Sequence, residues 1–298
     1  MGARIESVGT SHSHRGLLGR GALHLSDEAA KKCLQHAGRH ADDIDLLVNA
    51  GLYKDRNMAE PALASIIQED IGANPGHPPV RDRHGTFSFD VMNGACGAIS
   101  AAHLVDGLVG KGPARLGLIV AGDADPGTSQ DFPFPSVGGA LLLAHTDADE
   151  GFARFAFRTF PEYADLFEVR LTWEPDQKHN VLEVRQDPSF GRRCVECATE
   201  ATTAFLSAIG LGAQDVDLLI ASQYPPGFPG ELGGALGVPL DRMPIVPPEL
   251  AGAHTAGPIV ALESAMRSGQ LARARNVLFV TAGAGVTTGI ALYRNVPR

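Results

Sequence analysis

No apolar run in this chain approaches the ~20 residues that a helix needs to cross a bilayer. The opening stretch from Met1 to Gly9 has no apolar signal core after its single basic residue, Arg4. Gly2 starts like a myristoylation site, but the position that should hold Ser or Thr holds Glu6. The expectation is a soluble, cytoplasmic protein with no membrane partner. Cysteine is also scarce. Cys33, Cys96, Cys194 and Cys197 are the only four in 298 residues, too few for a disulfide framework. Cys194 and Cys197 form a C-x-x-C pair, yet no second pair completes a zinc site and their surroundings read as a helix, so core packing and no metal are expected. A basic stripe is missing too. With 25 basic against 34 acidic side chains the formal net charge is −9, and a nucleic-acid partner is not expected. The basic residues that do cluster, Arg192 with Arg193 and Arg267 with Arg273 and Arg275, read as solvated helix ends. Their functional alternative is a docking patch for an acidic carrier protein or for the phosphates of coenzyme A. His12 and His14 fall in a polar early loop and are expected to be exposed.

What is present is a 44% hydrophobic chain, enough for one large or two fused domains with a substantial core. Its apolar segments are written twice. Residues 27–48 read as an amphipathic helix ending in Gly38, a short acidic link and the buried strand Leu46-Leu47-Val48; residues 196–220 repeat that order through Gly210 to Leu218-Leu219-Ile220. Residues 100–122 and 257–283 each read as a helix followed by a strand apolar throughout, as when both sheet faces are covered. Two α/β halves of this design, residues 1–150 and 151–298, are expected to pack with their sheets around a shared pair of central helices. The seam where those helices begin is where a ligand is expected.

Cys96 stands at that seam. A short strand, Phe89-Asp90-Val91, gives way to the small residues Gly94 and Ala95, then to Cys96 and a helix. The first turn of a helix presents unpaired N–H groups and the positive end of its dipole, which favour thiolate over thiol. The alternative for such a residue is a small buried hydrophobe. The run Gly283-x-Gly285-x-x-x-Gly289 follows a strand as a dinucleotide fingerprint would, but Ile290 to Tyr293 behind it read as a strand where that fingerprint needs a helix. Nicotinamide binding is therefore rejected.

Taken in order, Asp43 to Val48, Glu60 to Gln68, Phe89 to Val91 ahead of Ala95-Cys96-Gly97, Leu118 to Asp123, Gly138 to Leu143 and Gly283 to Arg294 resemble the thiolase superfamily, and within it the ketoacyl-acyl-carrier-protein synthase III enzymes. The resemblance implies a duplicated αβαβα layered fold with two pseudo-equivalent halves. It implies that Cys96 takes an acyl group from a thioester and that the N–H groups of Cys96 and Gly285 form an oxyanion hole. Condensing members carry a histidine where this chain has Ser222-Gln223-Tyr224, and an asparagine where it has His254. Pro258 suits the first turn of the second central helix, which puts His254 just outside that helix and facing the seam. His254 is thus the expected base or ion-pair partner of Cys96, the alternative being a structural histidine hydrogen-bonded to backbone, while Ser222 and Gln223 offer hydrogen bonds only. Asn93, Tyr224, Phe132 and Phe134 are the expected substrate-binding residues, the two phenylalanines sitting exposed in the turn-rich loop 123–136, where anchoring the loop by packing is their alternative role.

A Cys–His pair without the second histidine suits acyl transfer to a hydroxyl or amine. Decarboxylative condensation with a malonyl thioester, or a silent subunit of a heterodimeric synthase, are the alternatives. The expected partners are acyl-CoA or an acyl carrier protein, with a homodimer and no further cofactor.

Overall fold

The apolar segments pair as strands covered on both faces. The computed structural model describes residues 2–13, 21–74, 85–111, 113–127, 129, 132–176 and 178–297. In chain order the first half gives β1 (Gly2–His12), α1 (Ala22–Ala37), β2 (Leu46–Asn49), α2 (Leu63–Ile71), β3 (Phe87–Asp90), α3 (Gly97–Lys111), β4 (Leu116–Asp123) and β5 (Val137–Thr146). The second gives β6 (Gly151–Thr159), β7 (Phe167–Glu174), β8 (His179–Gln186), α4 (Phe190–Ala208), β9 (Leu218–Ala221), α5 (Phe228–Leu236), α6 (Gly257–Arg267), α7 (Gln270–Arg273), β10 (Asn276–Gly283) and β11 (Thr287–Arg294).

One sheet runs β1-β5-β4-β2-β3 and the other β6-β11-β10-β9, while β7 and β8 form a separate hairpin. The two paths coincide. β2 lies parallel to β4 as β9 does to β10, and β4 lies antiparallel to β5 as β10 does to β11. α3 and α6 contact strands of both sheets; α1 and α2 cover the outer face of the first, α4 and α5 that of the second. This is the αβαβα layering expected from the duplicated sequence. The central layer is held by apolar burial, with Val105 and Val109 of α3 and Ile259 and Val260 of α6 almost fully enclosed, each contributing about 1.5–3 kcal/mol. Tyr293 of β11 also accepts the Ile5 N–H of β1 at 3.1 Å, and Thr10 donates to the buried Glu263 of α6 at 2.5 Å, so polar ties bind the halves.

α1 ends with Gly38 left-handed at φ 64°, and the chain after α4 turns at Gly210 with φ 71°, as the repeated Gly endings predict. Cys194 and Cys197 are buried inside α4. His12 departs from expectation: it ends β1 and is half-buried, because the strand runs further than its polar sequence suggests. His14 lies outside the described residues. Arg192 and Arg193 pair with Glu196, and Arg267 with Glu263. Among the described residues no helix is long and apolar enough to cross a membrane.

Candidate active site

Both central helices begin at one cavity of about 260 Å³, walled in part by Tyr53, Asn93, Gly94, Cys96, His254 and Thr287. β3 delivers the chain to a tight turn over Gly94–Cys96, and α3 follows at once. Cys96 is 1% exposed. Its S–H donates to the Thr287 carbonyl of β11 at 3.4 Å. Burial pushes the thiol up to about 11, while hydrogen bonding to Thr281 and the Gly289 backbone pulls it back in part. The resting sulfur is therefore a thiol, which corrects the expectation of a thiolate at neutral pH. Loss of water around the sulfur outweighs the field of the helix terminus. The Cys96 N–H is also committed in this state: it donates to the Asn93 carbonyl at 3.0 Å.

His254 precedes α6, whose first turn contains Pro258 as expected. The imidazole is 6% exposed and its Nδ1 lies 3.3 Å from Oδ2 of Asp123, the last residue of β4. Asp123 is saturated with donors. Its Oδ2 accepts the Thr255 N–H at 2.9 Å and hydroxyl at 2.6 Å, and its Oδ1 accepts the N–H groups of Leu52 at 2.9 Å and Tyr53 at 2.8 Å. Burial alone would raise this carboxyl; the bonds from His254, Thr255 and the Tyr53 backbone overcome it and hold the group below the usual carboxylate range. An ionised Asp123 accepts a hydrogen bond from Nδ1–H, leaving Nε2 as the free acceptor of the ring. That edge faces the Cys96 turn, since a Cβ placed on Gly94 would stand 3.9 Å from His254 Nε2. The ring is fixed by aromatic packing, with Phe134 at 4.4 Å and Tyr53 at 5.3 Å between centroids.

The other residues singled out from sequence divide. Asn93 lines the cavity and donates to Ser100 Oγ at 2.9 Å. Among the described residues the cavity wall includes Gly283, Ala284 and Thr287 but neither Gly285 nor Ser222, Gln223, Tyr224, Phe132 or Phe134. Gly285 caps the β10–β11 turn at φ 115°. The Ser222 hydroxyl, fully buried, accepts the Ala282 N–H at 3.2 Å and so extends the β9–β10 ladder. Gln223 Nε2 donates to the Ala221 carbonyl at 2.9 Å, and the Tyr224 hydroxyl donates to Gln186. Phe134 is 5% exposed and Phe132 half-buried, which corrects the expectation of exposed loop aromatics: Tyr53 and His254 give them an apolar wall to pack on.

Asp123 and Tyr53 are the residues that sequence reasoning missed. The signal for Asp123 was a lone carboxylate closing an otherwise apolar strand at its seam end. Tyr53 left no signal of its own. Among the described residues no cluster of three or more His, Cys, Asp or Glu is placed to hold a metal ion.

The C-terminal portion, residues 206–295, matches the family described as 3-oxoacyl-[acyl-carrier-protein (ACP)] synthase III C terminal. The chain is 27% identical over 300 residues to a beta-ketoacyl-[acyl-carrier-protein] synthase III of Acidiphilium cryptum (strain JF-5), covering 97% of this chain and 89% of that protein. A protein of the same description from Novosphingobium aromaticivorans is 26% identical with the same coverage. The solved 3-oxoacyl-(acyl carrier protein) synthase III of Pseudomonas aeruginosa PAO1 superposes with a TM-score of 0.82 at 20% identity, covering 100% of this chain and 99% of that one. Duplicated layers and full-length likeness together make this chain similar to ketoacyl synthase III proteins and give it their fold.

Proposed function

We propose that this ketoacyl synthase III-like protein is an acyltransferase that forms an acyl-Cys96 intermediate and passes the acyl group to a hydroxyl or amine. The observation that carries the reading is the Asp123–His254 pair, whose imidazole stands in the wall that also holds Cys96. Among the described residues His254 is the one imidazole or carboxylate in that wall. Ser222, at the position where condensing relatives are expected to carry histidine, spends its hydroxyl on a backbone N–H.

His254 Nε2 takes the Cys96 proton as the sulfur attacks the thioester carbonyl. The C–S bond to the incoming carrier breaks, and the carrier sulfur takes the proton from His254 and leaves as a thiol, which returns His254 to its neutral form. In the second half His254 takes the acceptor's proton as oxygen or nitrogen attacks acyl-Cys96, then returns it to the departing Cys96 sulfur. Asp123 stays ionised throughout and stabilises the imidazolium. The oxyanion falls to backbone donors, with Gly285 and Cys96 the assigned pair; losing one such donor costs about 3 kcal/mol of transition-state energy. The Cys96 amide must then exchange its Asn93 partner for the oxyanion.

Acyl-CoA or an acyl carrier protein is the proposed donor. A homodimer is proposed through β3, the open edge of its sheet, where Phe87 is 63% exposed and Met92, just beyond the strand, 61% exposed. The test is mass analysis of the Cys96 peptide after incubation with acyl-CoA and acyl-carrier thioesters. An acyl-sized increase is expected; no adduct with any chain length favours a silent subunit. Carbon dioxide release from a malonyl thioester on the loaded protein would replace transfer by condensation.

A further inference from the structure

Tyr53 follows β2 and lines two cavities at once: that of Cys96 and a neighbouring one of about 340 Å³. The second is walled largely by apolar side chains, among them Leu52, Met58, Met92, Val169 and Leu182. Tyr53 is 4% exposed, its ring stacked on Phe134 at 5.1 Å and met edge-on by Phe132 at 5.2 Å. Its hydroxyl is buried and has no hydrogen-bond partner among the described residues. Buried phenols find one as a rule, because an unmade bond forfeits hydration without return. Nearby polar groups are already engaged: Asp123 by His254, Thr255 and two backbone amides, and Lys54 by Asp90 at 2.6 Å.

We infer that the missing partner is a substrate oxygen: the acyl group loaded on Cys96 carries a hydroxyl or ketone beyond its thioester carbonyl, and Tyr53 selects for it. An acyl chain running from Cys96 into the apolar second cavity passes the wall that Tyr53 shares between the two. A site with a buried polar group awaiting its partner discriminates strongly against a substrate that lacks it, whereas an apolar pocket separates near-isosteres weakly. The inference rests on the acyl-Cys96 chemistry proposed above and deepens it by naming the acyl class.

The experiment measures acyl loading of the intact protein with hexanoyl thioesters, unsubstituted or carrying a hydroxyl or a ketone at the third, fourth or fifth carbon. Wild type is expected to load at least one oxygenated thioester about tenfold or more faster than the unsubstituted chain, as kcat/KM. The hydroxyl and ketone arms tell which oxygen Tyr53 meets. Tyr53→Phe keeps the ring and its stacking, so it is expected to bring that ratio, compared within the variant itself, close to one. The melting temperature of the unliganded variant should hold or rise, since the substitution deletes an unsatisfied hydroxyl. A ratio unchanged by Tyr53→Phe, no preference in wild type, or a lowered melting temperature overturns the inference while leaving the acyl-enzyme intact. Failure of every thioester to load Cys96 overturns the acyl-enzyme reading itself.

Discussion

The two halves follow one plan and diverge at the cavity, and the divergence shows how the site is made. β4 and β10 are equivalent strands, but β4 ends in Asp123 and β10 in Gly283. Asp123 reaches across to hold His254 of the other half. Gly283 does the reverse and makes room: a Cβ there would lie 3.1 Å from the Ala95 Cβ, in the Cys96 turn. Cys96 of the first half in turn donates to Thr287 of the second. Each half therefore presents one polar side chain to the cavity and holds its counterpart's. The first sheet also carries a fifth strand, β3, which leads into the Cys96 turn, whereas no strand of the described residues leads into His254. Asp90 at the end of β3 accepts the Leu63 and Ala64 N–H groups at the start of α2 and pairs with Lys54, anchoring that approach. Asp123 with its donors fixes the other approach instead.

The comparison breaks most completely at the sulfur. Cys96→Ala should abolish acyl loading, a loss on the order of 10⁴-fold or more, read as disappearance of the acyl-peptide mass. Asp123→Asn keeps the shape and removes the charge that sets the imidazole tautomer, so transfer should fall by roughly 10²–10⁴-fold in a turnover assay. Asp123→Ala also strands buried N–H groups and should cost about 3–5 kcal/mol in denaturant unfolding. If both variants keep wild-type activity, the carboxylate is not orienting His254.

Gly283→Ala sharpens the reverse contact. It should displace the Ala95 turn, cost about 1–3 kcal/mol in denaturant unfolding and slow acyl loading. Ser222→Ala should matter least, leaving the Ala282 N–H short of one bond, about 1 kcal/mol in a thermal melt, with loading within a few-fold of wild type. A large activity loss there would restore Ser222 to the reacting centre.

Titration separates the sulfur from the carboxylate as well. The folded Cys96 thiol lies at about 11 against an ordinary 9, so the stability gained by burying it neutral is absent below pH ~9, where both states are protonated, and a cost grows in above it. Folding is therefore expected to weaken as pH rises from 9 toward 11. Labelling of resting Cys96 by iodoacetamide should climb over that same interval; a midpoint near neutrality would restore the thiolate. Asp123 runs the other way. Its lowered value gives stability that is present above pH ~4 and lost as pH falls further, toward the folded value, which acid unfolding of wild type against Asp123→Asn checks.

Local pattern determined much of this protein. Unbroken apolar runs such as Leu46 to Val48 and Leu218 to Ile220 encode strands covered on both faces, and the repeated order of helix, glycine and strand encodes two like halves. The same reading put Cys96 and His254 at the starts of the two central helices, because Gly97 and Pro258 mark those starts in the sequence itself. What tertiary structure alone decided is the environment of each group. The state of the Cys96 sulfur depends on how much water its neighbours exclude, and those neighbours include Thr287, 191 positions away. Asp123 meets His254 across 131 positions. Tyr53 is left without a partner among the described residues only once both cavities have closed around it. Periodicity records which face of an element is apolar; it carries no record of which distant polar atom arrives there, because hydrogen bonding and desolvation are set by distances that only the folded chain fixes.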